Sequence, residues 1–217
     1  MKICQFNVEN LFLFRTQDNY VKSPEKVQWL ARTIKEIDAD IYMLCEVGGL
    51  ESLDLFNSKY LDNQYFTALI PGNSDRGIEM GYLIKKALPY FHQLISHKEK
   101  PINFNYPHEL QDPNFEKGLI KSHLFSRDVS ELRLLENGKP KLILFLVHLK
   151  SKLDKDGIDF NGNLRRKAEV NRLIELYLET KNQHPHIPII IGGDFNGNAQ
   201  RENHEFEFTH IYEKTEL

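Results

Sequence analysis

Four apolar segments of this sequence each stop at a polar residue of a type that takes part in catalysis. These residues are Asn7, Glu46, His148 and Asp194, and Asn196 follows two positions after the last of them. Ligand sites in open α/β sheets form at the carboxyl ends of strands, so convergence of these ends would assemble one site. Carboxylate and amide oxygens suit hard cations such as Mg²⁺, which proteins hold through one or two carboxylates, water and substrate phosphate.

The same residues include the groups that a hydrolytic reaction needs. A second carboxylate can orient or deprotonate a water molecule, and a histidine can stabilise or protonate charge on a phosphate or leaving oxygen. Each residue alone also has an ordinary structural explanation: Asn7 and Asp194 as turn residues, Glu46 as a solvated strand end, and His148 as a hydrogen-bonded structural histidine. Their joint occurrence at the ends of apolar segments favours metal-assisted hydrolysis of a phosphate ester.

The composition is that of an ordinary globular domain, which we expect to span residues 1–217 as a single unit. Hydrophobic residues make up 41% of the chain and charged residues 27%, and the formal net charge is -3. The lack of a strong positive charge weakens nucleic acid as a bulk electrostatic partner. It does not exclude nucleic acid, because a local groove can be basic while the rest of the surface is acidic.

The sequence shows no targeting or membrane segment, which predicts a cytoplasmic protein and leaves its oligomeric state open. Residues 1–7 lack the apolar core of a signal peptide, and no stretch approaches the roughly 20 apolar residues of a membrane helix. Cys4 and Cys45 lie inside apolar runs. They are therefore predicted to be small buried residues rather than parts of a disulfide framework.

Alternating helix and strand signals predict an α/β domain with two sheets inside and helices outside. Ser23, Pro24 and Glu25 supply an N-cap, a proline at the first helical position and an early acid, and apolar residues continue at helical spacing to Ile37. Further helices are expected at 50–59 and 164–179. Strands are expected at 2–8, 41–45, 65–70, 80–84, 122–125, 131–135, 142–147 and 187–191.

Three connecting or terminal segments have patterns of their own. Asn137 and Gly138 form the strongest short hairpin signal and predict a tight turn between the strands at 131–135 and 142–147. Residues 98–117 are polar and interrupted by prolines, which is typical of one long surface loop, and such loops are commonly functional or mobile. Residues 206–211 have a pattern that a strand could adopt.

Several of these stretches together resemble the endonuclease/exonuclease/phosphatase superfamily, whose members include deoxyribonucleases, abasic-site endonucleases, neutral sphingomyelinases and inositol-polyphosphate 5-phosphatases. The most specific match is the Gly-Asp-Phe-Asn step within 191–196. The resemblance implies two mixed sheets packed as a sandwich with helices on the outer faces, the four-layer deoxyribonuclease-like fold. The matching stretches are 5–12, 41–47, 147–152 and 191–196, with weaker matches at 76–79 and 125–128.

The resemblance also implies roles for the residues that end the apolar segments. Glu46 would be the principal ligand of Mg²⁺, for which Mn²⁺ could substitute, and Asn7 would help to position the metal and its waters. His148 would contact the scissile phosphate as a charge stabiliser or acid. Asp194 would orient or deprotonate the attacking water, and Asn196 would hold a phosphoryl oxygen.

Three further residues receive roles from the same resemblance. Glu79 resembles the acid that fixes the tautomer of the catalytic histidine. Arg127 would contact phosphate, although a lone arginine is commonly part of a surface ion pair. Lys150 and Lys152, with Arg165 and Arg166 later in the chain, could form a basic lip, and a solvated charged face is the alternative interpretation.

One departure from the superfamily pattern lies at the carboxyl end. Members carry a further strand with a Ser-Asp-His motif, which supplies a metal-side aspartate and the main catalytic histidine. Here neither His204 nor His210 follows an aspartate. We therefore expect the chain to be truncated at its carboxyl terminus, with a degenerate member of the superfamily as the alternative.

Three functions remain open from the sequence. The first is a metal-dependent endonuclease or exonuclease acting on nucleic acid. The second is a phosphatase or phospholipase C-type hydrolase acting on a small or lipid phosphate ester. The third is a non-catalytic protein with the same fold, for which the missing terminal motif is the only support.

Overall fold

The computed structural model describes residues 1–17, 19–154 and 157–217, and these form two compact units that alternate along the chain. The first unit comprises the described residues of Met1–His97, Asp128–His148 and Ile187–Asp194. The second unit comprises those of Lys98–Arg127, Leu149–His186 and Phe195–Leu217. The superfamily-like motifs are divided between the two units.

Two four-stranded sheets make up most of the first unit. One contains β1 (Ile3–Leu11), β2 (Ile41–Val47), β3 (Tyr65–Leu69) and β4 (Glu79–Lys85) in the order β1-β2-β4-β3. The other contains β5 (Phe91–Ser96), β6 (Val129–Glu136), β7 (Lys139–His148) and β8 (Ile189–Asp194) in sequence order. The β1–β2 and β7–β8 pairs are parallel and the others are antiparallel, so both sheets are mixed, as predicted.

The alternation of side chains along β2 shows why its apolar run is continuous. Ile41, Met43 and Cys45 share one buried cluster with Leu132 and Leu144 of the other sheet. The intervening Tyr42 and Leu44 pack into a second cluster, with residues of the helices α1 (Pro24–Ile37) and α2 (Leu50–Tyr60). Because successive strand residues face opposite sides, a strand covered on both sides has no polar positions. The predicted α/β sandwich is confirmed.

Local signals for α1 and for the β6–β7 hairpin act as predicted. The Ser23 hydroxyl accepts a hydrogen bond from the backbone N–H of Lys26 at 3.4 Å, and Pro24 occupies the first turn. Asn137 and Gly138 have φ angles of 51° and 75°. Positive φ at both central residues is the conformation of the two-residue turn that matches the twist of antiparallel strands.

The second unit is helical, and it differs from the sequence predictions in three segments. Its helices are α3 (Pro107–Leu110), α4 (Pro113–Glu116), α5 (Asn163–Gln183) and α6 (Thr209–Lys214), with 3₁₀ turns at Phe160–Gly162 and Phe206–Phe208. The predicted loop at 98–117 contains α3 and α4, because its prolines occupy first helical turns instead of breaking structure.

Among the described residues, no helix has the length and apolar character that crossing a membrane requires.

The strand assignments from the sequence differ from the structure at three places. Residues 122–125 contain only a single bridge, between Leu124 and Pro101. Residues 206–211, whose pattern a strand could adopt, form a 3₁₀ turn and the start of α6 instead, and Glu207 in this segment enters a buried ion pair with Arg166. The sequence analysis also missed β5, whose residues alternate between exposed and half-buried positions and include His92 and Gln93.

Asp128 is a buried carboxyl in the first unit whose ionisation should oppose folding. It is 3% exposed and accepts hydrogen bonds from the Ser96 hydroxyl at 2.6 Å and the His97 backbone N–H at 2.8 Å. Burial, the largest cause, raises the pKa of Asp128 from 3.8 to about 6. The folded state therefore binds a proton that the unfolded state has lost at mildly acidic pH.

We expect Asp128→Asn to remove a pH-dependent part of the stability. A raised folded-state pKa contributes stability that is full below about pH 4 and is lost as the pH rises through about 6. Relative to the variant, the free energy of unfolding of the wild type should therefore fall by about 2 kcal/mol between pH 4 and 7. Urea denaturation across that range measures it, with the exposed Asp62→Asn as control, and a pH-independent difference would contradict the prediction.

Candidate active site

The carboxyl-end regions of four strands meet in the first unit. The Asn7 side-chain amide in β1 donates a 2.9 Å hydrogen bond to Oδ2 of Asp194 in β8. The Cys45 thiol in β2 lies 3.5 Å from the carbonyl oxygen of Val147 in β7, as a donor. These two contacts bring residues of both sheets together, and Glu46 and His148 directly follow Cys45 and Val147 in the chain.

Glu46 owes its orientation to a bulge in β2. The register with β4 shifts between Cys45 and Val47, and Glu46 has a φ of 66°. A bulge adds one unpaired residue and re-aims its side chain. The Glu46 Oε2 accepts the backbone N–H of Asn10 at 3.1 Å, and in the described part of the chain Oε1 accepts no hydrogen bond. One carboxylate oxygen is thus fixed and the other remains available.

Asn10 and Arg76 are residues of this region that the sequence analysis did not assign. The Arg76 guanidinium donates to Oδ1 of Asn10 at 3.0 Å, and the Asn10 backbone in turn holds Glu46. Asn10 has a φ of 56° where the β1–β2 register shifts. Both residues lie in stretches that matched the superfamily, but the match alone gave them no role.

Asn7 and Glu46 do not terminate their strands, as the sequence analysis had assumed. β1 continues beyond Asn7 to Leu11, and β2 ends one residue after Glu46. Irregular pairing lets both strands carry a polar side chain at these positions without ending there. The Asn7 Oδ1 also accepts the backbone N–H of Glu9 at 2.9 Å, which fixes the side chain.

His148 and Asp194 are the last residues of β7 and β8 and are paired in the parallel register. His148 is 3% exposed, whereas the Asp194 side chain is 29% exposed. The His148 Nε2 lies 4.0 Å from the Asp194 Oδ2, too far for a direct hydrogen bond between these atoms. Gly193 permits this arrangement, because a side chain there would collide with the carbonyl of Val147.

Two buried groups border the cluster. Glu79, the first residue of β4, is 9% exposed and accepts the Gly72 backbone N–H at 2.7 Å. Its predicted action on His148 stays a prediction. Cys45 is fully buried, and desolvation, the largest cause, raises the pKa of its thiol to about 12. That shift makes Cys45 a structural thiol and not a nucleophile.

Arg127, Lys150 and Asn196 belong to the second unit, where they surround one short segment. The carbonyl oxygen of Leu149 accepts hydrogen bonds from Asn196 Nδ2 at 2.9 Å and from Arg127 Nη1 at 3.2 Å. The Lys150 ammonium donates to the carbonyl of Leu153 at 2.6 Å. Burial, the largest cause, lowers the pKa of the Lys150 ammonium.

The predicted basic lip needs correction. Arg166 is fully buried and donates to Glu207 Oε1 at 3.0 and 2.5 Å, so it cannot form part of an exposed surface. Lys152 pairs with Glu205 at 2.9 Å. Of the two histidines in the carboxyl-terminal segment, His210 contacts Asn171 of α5 at 2.7 Å and His204 contacts the nearby carbonyl of Arg201 at 3.1 Å.

The donor set of the first unit fits a hydrated hard cation. Among the described residues, no group of three or more His, Cys, Asp and Glu side chains is arranged to hold a metal ion. A cage of protein ligands alone, as for structural zinc, is therefore not formed by them. Mg²⁺ instead needs only one or two carboxylates and keeps several waters, a requirement that the second carboxylate oxygen of Glu46 can meet.

Comparison with solved structures shows which fold contains this site. TDP2 from Caenorhabditis elegans, in truncated form, superposes with a TM-score of 0.56 at 18% identity over 91% of this chain and 62% of its own. TDP2 from D. rerio, complexed with single-strand DNA product, superposes with a TM-score of 0.55 at 14% identity over 98% of this chain and 64% of its own. An endonuclease/exonuclease/phosphatase family protein from Bacteroides thetaiotaomicron superposes with a TM-score of 0.56 at 13% identity over 99% of this chain and 68% of its own.

The chain has the fold of the endonuclease/exonuclease/phosphatase superfamily. A mannosyl-6-phosphatase, Bt3783, from Bacteroides thetaiotaomicron shares it, with a TM-score of 0.53 and 14% identity over 97% of this chain and 70% of that one. No protein-family model and no curated protein sequence matches the chain. The chain spans 62% and 64% of the two TDP2 structures, so it is similar to part of their length.

Proposed function

We propose that this protein hydrolyses phosphate esters at the cluster formed by Asn7, Glu46, His148 and Asp194, with Mg²⁺ or Mn²⁺ as cofactor. The observation that carries the proposal is the hydrogen bond between Asn7 and Asp194, which joins β1 of one sheet to the end of β8 in the other at 2.9 Å. This bond supports a site that also draws on His148, paired with Asp194 in register, and on Glu46 of β2, in a fold that this chain shares with a mannosyl-6-phosphatase.

Each residue has a chemical task in this proposal. Asp194 orients the attacking water and accepts its proton, with one carboxylate oxygen held by Asn7. His148, nearly excluded from solvent, stabilises charge on the phosphate or protonates the leaving oxygen. Glu46 and Asn7 would hold the cation, which when bound supplies charge neutralisation to the phosphate.

We further propose that the substrate is a phosphodiester of nucleic acid. TDP2 of the same fold has been seen with a single-strand DNA product, which supports this class. The phosphatase alternative is supported by the likeness to mannosyl-6-phosphatase Bt3783. Substrate choice in a shared fold is determined by loops, so the fold alone does not separate these two candidates.

A substrate panel at fixed Mg²⁺ tests the proposed function. Single-stranded DNA, RNA, a generic phosphodiester, a sugar phosphate and a phospholipid should be compared, with Asp194→Asn as the matched inactive control. We expect hydrolysis of oligonucleotides to exceed that of the sugar phosphate at least tenfold in kcat/KM. Preference for the sugar phosphate or the lipid would favour the alternative, and no Asp194-dependent hydrolysis of any substrate would reject catalysis.

A further inference from the structure

We propose that Glu169 of α5 is a positioning residue, which together with Arg166 forms a clamp on the backbone of the two segments that carry Arg127 and Lys150. The inference rests on the proposed function, and it takes from the superfamily resemblance the expectation that Arg127 and Lys150 bind substrate. Glu169 does not itself contact substrate in this proposal. It acts through backbone groups, and its effect is on where the two cationic side chains are presented.

The carboxylate of Glu169 connects two distant parts of the second unit. Its Oε1 accepts the backbone N–H of Ser126 at 2.7 Å, and its Oε2 accepts the backbone N–H of Lys150 at 2.7 Å. These donors lie 43 and 19 residues away in the chain. Glu169 is fully buried, so water does not compete for either hydrogen bond. One side chain therefore fixes both segments relative to α5.

Arg166 completes the clamp from one turn earlier on the helix. Its Nη1 donates to the carbonyl oxygen of Lys150 at 3.0 Å, so the two polar backbone groups of Lys150 are held by opposite charges. Residues three apart share one helix face, which explains how both reach the same segment. Arg166 is also fully buried, and its charge is balanced by Glu207.

A stable fold does not in general require buried charges. Replacing a buried ion pair by well-packed apolar residues is often neutral or stabilising, so the burial of Arg166 and Glu169 is weak evidence that they contribute to stability. What the charges do specifically is orient two backbone segments through short hydrogen bonds. The segments they hold contain Arg127 and Lys150, and both Arg127 and Asn196 bond the intervening carbonyl of Leu149. Functional residues need such a supporting layer to keep their geometry.

Glu169→Gln is the direct test, with Glu175→Gln on the exposed face of the same helix as its matched control. The glutamine amide keeps one acceptor oxygen but turns a donor toward one of the two N–H groups, so one hydrogen bond is lost. We expect KM for a single-stranded oligonucleotide to rise at least tenfold, with kcat changing less than threefold. Glu175→Gln, which alters only an exposed pair with Arg172, should leave both within twofold.

A second comparison separates positioning from general destabilisation. If Glu169 acts through Arg127 and Lys150, adding Glu169→Gln to the Arg127→Ala/Lys150→Ala variant should raise KM less than twofold further. A further tenfold loss in that background would overturn the proposal, because the residue would then act independently of both cations. An unchanged KM in the single Glu169→Gln variant would overturn it as well.

Amide hydrogen exchange of the wild type gives a readout that does not depend on activity. The Ser126 and Lys150 amides should exchange at least a hundredfold more slowly than the amides of neighbouring loop residues, since both are bonded to a buried carboxylate. Rapid exchange at both would reject the clamp even if Glu169→Gln failed to fold. A wild type that hydrolyses no phosphate ester would instead reject the proposed function, while the exchange rates would still decide the clamp.

Discussion

Asp194→Asn should lower kcat for phosphodiester hydrolysis by about a thousandfold or more, which corresponds to roughly 4 kcal/mol of activation free energy. Asparagine keeps the shape of the side chain and an oxygen that can accept the hydrogen bond from Asn7. It removes the negative charge that orients water and accepts a proton. The expected loss is therefore chemical, because the local geometry is preserved.

Steady-state kinetics with an oligonucleotide substrate measure this effect. The melting temperature should change by only a few degrees, since the Asp194 side chain is partly exposed at the end of β8. Asp62→Asn, an exposed carboxylate paired with Lys35, is the control and should retain full activity. If the Asp194 variant kept a tenth of wild-type kcat, the residue would have to be removed from the mechanism.

Removal of divalent cations should abolish activity, and Glu46→Gln should raise the Mg²⁺ concentration for half-maximal rate at least about tenfold. The reason is that Glu46 presents the one carboxylate oxygen of the bulge that accepts no hydrogen bond from the described residues. Neutral glutamine retains an oxygen but loses the charge that a hard cation prefers. The bond to the Asn10 backbone can be retained, so the bulge itself should persist.

Isothermal titration calorimetry of Mg²⁺ and Mn²⁺ provides a readout besides activity. Glu51→Gln, in the first turn of α2 and exposed, is the matched control and should bind metal as the wild type does. Full turnover in excess chelator would exclude a metal-dependent reaction. Equal metal affinity of Glu46→Gln and the wild type would exclude Glu46 as a ligand while leaving the metal requirement intact.

The sequence by itself determined the elements whose signals are local. The start of α1 follows from Ser23 and Pro24, and the β6–β7 turn follows from Asn137 and Gly138, because caps and tight turns depend on a few adjacent residues. The continuous apolar run of β2 likewise indicated a strand covered on both sides. These features, placed in order, were sufficient to indicate the α/β sandwich.

The types of the candidate catalytic residues were also readable, but their arrangement was not. Pairing of β7 with β8 places His148 opposite Asp194, and this register arises from long-range strand association. The bulge that turns Glu46 depends on the fit between β2 and β4, which no short pattern records. For the same reason the sequence assigned no role to Asn10 or Arg76. In the fold, the Asn10 backbone N–H donates to Glu46, and Arg76 donates to the Asn10 side chain.

Only the tertiary structure decided the parts that depend on buried charges. Arg166 had been considered for an exposed basic lip, yet it is fully buried against Glu207, which lies in a segment whose pattern a strand could also adopt. A charged residue is predicted to be exposed unless its partner is known, and this partner is 41 residues away in the chain. Pairing over such distances is a property of the folded chain, because it requires both groups to lose water together.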